Sequence, residues 1–489
     1  MRTARALVAL VLALASGCAR HAVAATPAPQ LTVAPVLFAA PKAPAWSTAD
    51  LRRLRSRLSG PLGWSALATA GIAIVDSQGR PLFVRREHAA ATPASTFKLL
   101  VAVTALQTLG PDYRFETRLE ATDVPHNGTL DGDLYLVGTG DPSLTSDVLR
   151  GGVGVLARAG LTDITGGIVA DGSLFGGREV NPAWDPDDLQ YDYAAGTSAL
   201  SLDEGTVEFH LVPASAGAPT RIEVRPPSDA VTVLGGVMTG YSTTLSIDRA
   251  PDRNEFTFAG DVAVDAEQSF YRPVIDQPHY AAGVALSMLR ARDIEVEGGS
   301  HTGVAPAGAT VLWQHESAPL RTLLGHMLFE SDNHYAEQLL RAVGAHAGAV
   351  GTEHSGALVE RAVFEQLGAP TDGLRVVDGS GLAPTDRVAP IDLATLLARA
   401  NLVSTGNVLF HDLPRVGIEG TVSRHDVTTA LGRARAKSGH INDVDALAGY
   451  VDTRHHGRVA FAILVNGPAA DDDPVYDGMD ATLDILAGS

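Results

Sequence analysis

The chain has 489 residues, 45% of them hydrophobic, which predicts about two to four domains with buried cores and excludes disorder as the dominant state. Its 56 acidic residues outnumber 37 basic ones, and the formal net charge of -19 argues against a nucleic-acid-binding function. The single cysteine, Cys18, excludes an internal disulfide and any zinc or iron–sulfur site built from several thiolates.

The N-terminal segment, residues 1–25, has the layout of a secretory signal: Arg2 and Arg5, an apolar run, and then small residues. Two processing events are open. Lipoprotein-type processing would lipidate Cys18, whereas ordinary cleavage after Ala24 would leave a mature chain without cysteine. Both alternatives predict a periplasmic or otherwise extracytoplasmic protein, which meets a membrane only through a lipid anchor on Cys18.

Residues 26–45 are rich in proline and have little periodicity, which predicts an extended spacer before the folded body. A helix is predicted over residues 47–58, because its leucines recur at helical spacing. Ser47 and Asp50 form a variant of the capping box at the start of this helix.

Two strand hairpins are predicted near opposite ends of the chain, one over residues 71–75 and 81–84, the other over 446–453 and 459–465. The strands of the second hairpin are apolar at nearly every position, as expected for a sheet that helices cover on both faces. Together the hairpins predict one α/β domain that is closed by both ends of the chain.

The middle of the chain, residues 120–271, consists of short strands separated by Gly, Asp and Pro turns. This pattern predicts one or two inserted β-rich modules, and no fixed-period repeat is present. The segments 46–119 and 272–489 would then form the main domain, and helical patterns resume over 280–291 and 320–342.

The first chemically suggestive cluster is Ser95-Thr96-Phe97-Lys98, at the start of a helix-like pattern. Residues three apart share a helix face, so Lys98 can reach the hydroxyl of Ser95. A serine hydroxyl is a poor nucleophile until a base takes its proton, and a lysine is such a base only when its pKa is lowered. The pair is therefore a candidate nucleophile and base.

Two further clusters lie towards the C-terminus. Ser331-Asp332-Asn333 precedes an amphipathic helix, and Lys437-Ser438-Gly439-His440 precedes the second hairpin. Taken singly, the former is typical of a helix N-cap and the latter of a surface turn.

The three clusters together are the Ser-x-x-Lys, Ser-x-Asn and Lys-Thr/Ser-Gly elements of penicillin-recognising serine enzymes, in the order of that superfamily. From about Trp46 to the C-terminus, the chain resembles the D-Ala-D-Ala carboxypeptidase/endopeptidase group, the class C low-molecular-mass penicillin-binding proteins. The long β-rich interval between Ser95 and Ser331 is similar to that group, not to compact class A β-lactamases. The resemblance implies an α/β (α+β) penicillin-recognising serine transpeptidase/β-lactamase-like fold with inserted β-rich modules.

The resemblance also implies roles for the site residues. Ser95 would attack the penultimate D-alanine carbonyl, with neutral Lys98 as its base. Lys437, as a second cation, would hold Lys98 neutral and orient the terminal carboxylate, which Ser438 would also bind. Ser331 would relay a proton to the departing amine.

Substrate binding is assigned by the same resemblance to Asn333, whose amide would hold the peptide backbone, and to the strand edge that includes Gly439 and His440. The backbone N–H groups of Ser95 and His440 would form the oxyanion hole, with the His440 side chain incidental. Asp188 resembles the position of an insert acid that reaches a substrate amino group.

Two departures from the family pattern stand out. Ser438 replaces the commoner threonine but keeps a hydroxyl. Some relatives carry an arginine soon after the Asp-Gly-Ser-Gly-Leu phrase, where this chain has Ala383-Pro384, so recognition of the diamino-acid side chain stays open.

The predicted partners are peptidoglycan stem peptides ending in D-Ala-D-Ala, with β-lactams as inhibitors. No cofactor is predicted, and no metal site, because the 16 histidines form no i, i+4 pair with a nearby carboxylate. A β-lactamase and a non-catalytic peptidoglycan-binding protein are the two alternatives, distinguished by the lifetime of the penicillin adduct and by the effect of Ser95→Ala.

Overall fold

The computed structural model describes residues 44–467 and 473–489. The predicted signal segment 1–25, the candidate lipidation site Cys18 and nearly all of the spacer predicted over 26–45 lie outside the described residues. Within the described ranges, every helix is too short or too polar to cross a lipid bilayer.

The helices are distributed over the whole described chain. In chain order they are α1 (Thr48–Leu58), α2 (Lys98–Thr108), α3 (Ser146–Arg158), α4 (Gln277–Arg290), α5 (Leu320–Glu330), α6 (Asn333–His346), α7 (Glu353–Leu367), α8 (Pro390–Ala400), α9 (Gly406–Asp412) and α10 (Asp473–Ala487). Short 3-10 turns join several of them.

Most strands lie in the middle of the chain, between α2 and α5. The first seven are β1 (Gly71–Val75), β2 (Pro81–Arg85), β3 (Glu116–Ala121), β4 (Thr129–Leu130), β5 (Leu134–Gly138), β6 (Asp163–Ile164) and β7 (Ile168–Asp171). The next seven are β8 (Thr206–Val212), β9 (Arg221–Arg225), β10 (Thr232–Gly235), β11 (Met238–Gly240), β12 (Ser246–Arg249), β13 (Glu255–Ala259) and β14 (Asp261–Ala263). The last seven are β15 (Gln268–Pro273), β16 (Glu295–Val296), β17 (Ser300–Thr302), β18 (Thr310–Glu316), β19 (Ala434–Ile441), β20 (Val444–Asp452) and β21 (Arg458–Asn466).

The sheet that carries the site is antiparallel and has the strand order β19-β20-β21-β1-β2. Both predicted hairpins are confirmed, β1 with β2 and β20 with β21. Strand β1 pairs with β21, where Ile72 lies opposite Ile463, so the two ends of the chain close one sheet as predicted. Strand β19 is at the edge of this sheet.

Helices cover both faces of this sheet, as the apolar strands predicted. On one face Ala73 and Val75 belong to a core shared with α2, α5, α6, α7 and α8. On the other face Ile72 and Ile74 pack in a core with α1 and α10. Because successive residues of a strand point to opposite faces, each strand must be apolar throughout.

The predicted N-terminal helix is confirmed as α1. Its N-cap Ser47 accepts a hydrogen bond from the Asp50 backbone N–H at 3.1 Å, and the Asp50 carboxylate accepts one from the Ser47 N–H. This reciprocal capping box satisfies two donors that a helix start leaves unpaired.

The inserted unit is larger than predicted. Strands β17 and β18 complete a five-stranded sheet with β7, β5 and β3, and α4 is buried in the same core as α3 and the β-strands. The unit therefore runs from Glu116 to Glu316, and the boundary predicted at residues 271 and 272 falls inside it. The core of the insert is one cluster, which contains residues from Leu119 to Val296.

Candidate active site

Ser95 lies in a short 3-10 turn, Ala94–Phe97, that leads directly into α2. Its neighbours Ala94 and Thr96 are fully buried, whereas Ser95 is partly exposed. The turn thus holds the hydroxyl at the surface of a rigid core, as a nucleophile requires.

Lys98 is fully buried, and its amine has three oxygen partners. Nζ lies 2.9 Å from Oγ of Ser95, 2.6 Å from Oδ1 of Asn333 and 3.0 Å from the carbonyl oxygen of Ser380. The amide and carbonyl oxygens can only accept hydrogen bonds. A neutral amine gives its two N–H groups to them, which leaves its lone pair for the hydroxyl proton of Ser95.

Burial lowers the pKa of Lys98 to about 8, although the nearby carboxylates of Asp378, Asp332 and Glu337 act in the opposite direction. Burial also lowers the pKa of Lys437, and the positive charge of Lys98 adds to that effect. Burial and the charge of Lys437 were both expected to keep Lys98 neutral, and burial is the largest cause of its lowered pKa.

The Ser331-Asp332-Asn333 segment forms the sharp junction between α5 and α6. Ser331 ends α5 in the left-handed conformation, with φ 65°, and Asp332 is the N-cap of α6, accepting from the Tyr335 N–H at 2.9 Å. The hydroxyl of Ser331 bonds to no side chain or backbone group of the described residues, so it is available to a substrate. Asn333 is the first residue of α6.

Asn333 connects Lys98 to the insert. While its Oδ1 accepts from Lys98, its Nδ2 donates to the carbonyl oxygen of Tyr193 at 2.9 Å. Both ends of the amide are therefore fixed, and the loop around Tyr193 forms one wall of the site.

The third cluster lies on the edge strand β19. Lys437 is fully buried, and its Nζ donates to the Ser438 carbonyl oxygen at 2.8 Å and to Oγ1 of Thr421 at 3.4 Å. The Oγ atoms of Ser438 and Thr421 lie 2.7 Å apart. Sequence reasoning assigned no role to Thr421.

At Gly439, strand β19 closely approaches the turn that carries Ser95. A Cβ atom on Gly439 would lie 2.7 Å from the Pro93 carbonyl oxygen and 2.9 Å from the backbone nitrogens of Ser95 and Thr96. All three are backbone atoms, so only glycine permits this approach. His440 follows with an exposed side chain, whose Nδ1 lies 3.3 Å from Oδ1 of Asp445.

The Asp378–Gly381 turn forms the floor beneath Lys98. The carboxylate of Asp378 accepts hydrogen bonds from the Trp184 indole at 2.8 Å and from the N–H groups of Gly381 and Ala383 at 2.7 Å. Gly381 has a φ of 79°, and a Cβ there would overlap the carbonyl oxygen of Ala94. The Asp378–Gly381 turn therefore packs closely against the segment that carries Ser95.

Asp188 is outside the group that surrounds Lys98. It lies on the exposed 3-10 turn Pro186–Gln190 of the insert, and its Oδ1 accepts from the Tyr193 hydroxyl at 2.7 Å. Its connection to the site runs through Tyr193, whose carbonyl oxygen binds Asn333.

Glu204, His326 and Asp332 bring donor atoms within 4.8 Å of one another, the one group in the described ranges that could hold a metal ion. Nε2 of His326 lies 3.3 Å from Asp332 and 3.7 Å from Glu204, so an ion pair accounts for the arrangement. Histidine spacing could not reveal the group, because its members come from separate segments.

Comparison with known proteins matches the region that contains these motifs. The sequence profile of the D-Ala-D-Ala carboxypeptidase 3 (S13) family matches residues 62–487. The chain belongs to this family. The S13 profile thus spans all three motifs and the insert between them.

Similar proteins match the S13 chain over most of their length. A D-alanyl-D-alanine carboxypeptidase of Actinomadura sp. (strain R39) is 32% identical over 473 residues, which are 92% of this chain and 88% of the relative. D-alanyl-D-alanine carboxypeptidase DacB of Haemophilus influenzae is 28% identical over 394 residues, 78% of this chain and 81% of the relative.

A solved structure is also similar to the S13 chain. Penicillin binding protein 4 (dacB) from Haemophilus influenzae superposes with a TM-score of 0.76 and 25% identity, covering 90% of this chain and 100% of the other. The predicted family, the α+β penicillin-recognising fold and the prediction of a serine-type carboxypeptidase are confirmed by these matches.

Proposed function

We propose that Ser95 attacks the carbonyl carbon between the two terminal D-alanines of a peptidoglycan stem peptide. Neutral Lys98 takes the hydroxyl proton as the Oγ–C bond forms. The observation that carries this proposal is the pair of pure acceptors, Asn333 Oδ1 and the Ser380 carbonyl, which direct the lone pair of Lys98 to Ser95.

The terminal carboxylate of the substrate is assigned to the end of β19. The Thr421 hydroxyl lies within hydrogen-bond distance of both the Ser438 hydroxyl and the buried amine of Lys437, and the three groups offer donors to an anion. Gly439 allows the strand to lie beside Ser95, so a carboxylate held there places the scissile carbonyl near the nucleophile. The oxyanion hole is assigned to the backbone N–H groups of Ser95 and His440.

The departing D-alanine leaves as an amine when the C–N bond breaks, and it must receive a proton. The free hydroxyl of Ser331 is assigned the transfer of that proton from Lys98. Water then hydrolyses the acyl-enzyme. Asn333 is assigned to the peptide backbone of the substrate and Asp188 to a substrate amino group.

A β-lactam acylates Ser95 in the same way, and the chain is proposed to bind penicillin. The test is incubation with labelled penicillin, followed by mass spectrometry of the peptide that contains Ser95, and measurement of D-alanine released from a pentapeptide. A long-lived adduct and D-alanine release support the peptidase, whereas release of the label within seconds supports a β-lactamase. Ser95→Ala must abolish both signals. If the wild type forms no adduct and releases no D-alanine, the proposal is refuted.

Cleavage of cross-links is a second proposed activity of the same site. A cavity of about 850 Å³ continues from Ser331 and Asn333 between the insert and the catalytic domain, with Tyr193, Arg225 and Tyr271 in its wall. Its volume is in the range of ligand sites and exceeds what one D-alanine needs. Mass spectrometry of sacculus peptides after incubation with the protein separates loss of D-alanine from loss of cross-linked dimers.

An extracytoplasmic location is proposed from the substrate and from the signal-like segment 1–25. Mass spectrometry of the N-terminal peptide of the mature protein distinguishes a lipidated Cys18 from a free N-terminus after Ala24. A mature chain that retains Met1 contradicts both forms of processing.

A further inference from the structure

A group of buried carboxyl side chains lies behind Lys98. The proposed reaction assigns these carboxyls no role. Glu337 is 1% exposed, and Glu360, Asp378 and Asp386 are fully buried. They come from α6, α7 and the segment between α7 and α8. Buried carboxyls are rare in proteins unless they are paired or serve a site.

Glu337 holds the turn that touches the base. Its Oε1 accepts hydrogen bonds from the backbone N–H groups of Gly379 at 3.0 Å and Ser380 at 2.8 Å. The carbonyl oxygen of the same Ser380 accepts from Lys98. Any movement of Glu337 therefore moves an acceptor of the catalytic amine.

Helix α6 supplies both acceptors of Lys98, one directly and one through the turn. Asn333 and Glu337 are four residues apart, so they share a face of this helix. Asn333 contacts Lys98 itself, and Glu337 contacts Ser380, which contacts Lys98. A single rigid element thus sets the orientation of the amine.

Glu360 lies on α7 with neither carboxyl oxygen hydrogen-bonded to any described residue. An ionised carboxylate is strongly disfavoured in such a place, and burial together with the charge of Glu337 raises the pKa of Glu360 well above its usual value. Burial and the charge of Asp378 raise the pKa of Glu337 to about 8. An ionised Glu337 raises the pKa of Lys98, because it adds a negative charge nearby.

We propose that Glu337 is a positioning residue for Lys98: its buried carboxyl fixes the Asp378–Gly381 turn so that the Ser380 carbonyl holds the amine with its lone pair towards Ser95. The inference rests on the proposed role of Lys98 as the base. The titratable groups that face Glu337 are Lys98 from the start of α2, Glu360 from α7, and Asp378 and Asp386 from the segment before α8.

The test compares two substitutions at one position by the rate of acylation with labelled penicillin between pH 5 and pH 10. Glu337→Gln keeps an oxygen for the two N–H groups but cannot ionise. We expect it to acylate at pH 7 within about threefold of wild type, with the rising limb of the pH profile moved to lower pH by about 0.5 unit or more. Glu337→Leu removes the acceptor, and we expect a loss on the order of 10²-fold.

Asp392→Asn is the matched control, since Asp392 is a carboxyl only 2% exposed that accepts from the Gly373 N–H at 3.3 Å and does not contact Lys98. Asp392→Asn should change the free energy of unfolding without shifting the pH profile of acylation. If Glu337→Leu does not fold, Glu337→Gln alone decides. A Glu337→Gln profile that coincides with the wild-type profile, or a folded Glu337→Leu that acylates normally, overturns the inference.

The wild-type measurement separates this inference from the proposed function. A wild type that is not acylated at Ser95 refutes the proposed function. A wild type that is acylated, with unaffected Glu337 variants, refutes only the positioning role.

Discussion

Nζ of Lys98 lies 2.9 Å from Oγ of Ser95, and the two other partners of the amine are oxygens that cannot donate a hydrogen. The same geometry that orients Lys98 also favours its neutral amine, whose two N–H groups match the two acceptors. Several measurable consequences come from this relationship and from the contacts that maintain it.

Removal of the base should nearly abolish acylation. Lys98→Met keeps an unbranched side chain but has no proton acceptor, and we expect the rate of acylation by labelled penicillin to fall on the order of 10³-fold. Stopped-flow mixing or timed mass spectrometry measures this rate. Ser95→Ala, which cannot form the adduct, sets the background, and a Lys98→Met rate near that of wild type would exclude Lys98 as the base.

The pH dependence of acylation should follow the amine of Lys98. Its pKa of about 8 means that the reactive neutral form predominates above pH 8 and falls tenfold for each unit below it. Acylation should therefore rise with pH and reach half of its plateau near pH 8. A rate that is constant between pH 6 and pH 9 would contradict this assignment.

A negative charge at position 333 should slow the enzyme. In Asn333→Asp a carboxylate would lie where Oδ1 is now 2.6 Å from Nζ, and an adjacent negative charge raises the pKa of Lys98. The carboxylate would also face the Tyr193 carbonyl oxygen without a hydrogen between them. We expect acylation at pH 7 to fall by about tenfold or more and to recover partly at higher pH, as measured in the same assay; an unchanged profile would refute this.

The contact of β19 with the nucleophile's turn should tolerate no side chain. In Gly439→Ala the added Cβ meets three backbone atoms at 2.7 to 2.9 Å, so the strand must move away from Ser95, and we expect acylation to fall by about 10²-fold. Gly325→Ala, on α5, is the matched control, because a Cβ there meets nothing within 4 Å. It should keep the rate and raise the unfolding free energy by up to about 1 kcal/mol. Equal acylation rates for the two variants would disprove the steric argument.

Stability should fall as the pH rises towards 8, in part because of Glu179. This carboxyl accepts from the Gln277 N–H at the start of α4, and burial raises its pKa to about 7. Its stabilising contribution is complete below the unfolded pKa, near 4.5, and is lost as the pH passes 7. Glu179→Gln keeps the acceptor, and it should reduce the pH 5 to pH 8 loss of unfolding free energy by on the order of 2 kcal/mol.

Denaturant titrations at the two pH values measure this difference. Glu365→Gln, at an exposed position of α7, serves as the control and should leave the loss unchanged. If Glu179→Gln destabilises the protein equally at both pH values, the buried carboxyl is not the cause.

Much of the site could be predicted because its side chains carry local patterns. The spacing of Ser95 and Lys98 predicted a contact within one helical turn. The order of the three motifs added Asn333 and Lys437 to the predicted site. The two fully buried lysines of the site, Lys98 and Lys437, both belong to these motifs.

What sequence could not provide are the groups that act through their backbone. The carbonyl oxygens of Ser380 and Tyr193 could belong to any residue type, and only tertiary contacts place them beside Lys98 and Asn333. The boundary of the insert was misplaced for a related reason. The apolar pattern of α4 indicates a buried helix, but it does not indicate which of two cores buries it.

The place of β1 in the central sheet bears on the order of folding. Gly71 pairs with Leu464, so β1 can complete its pairing only with a strand from the far end of the chain. The pairings inside the insert join residues that are closer in sequence. Contacts between distant segments form late, because closing a long loop costs conformational entropy. A chain that ends before β19 therefore carries Ser95 and Lys98 beside an unfinished sheet, and reactivity towards penicillin becomes a property of completed molecules.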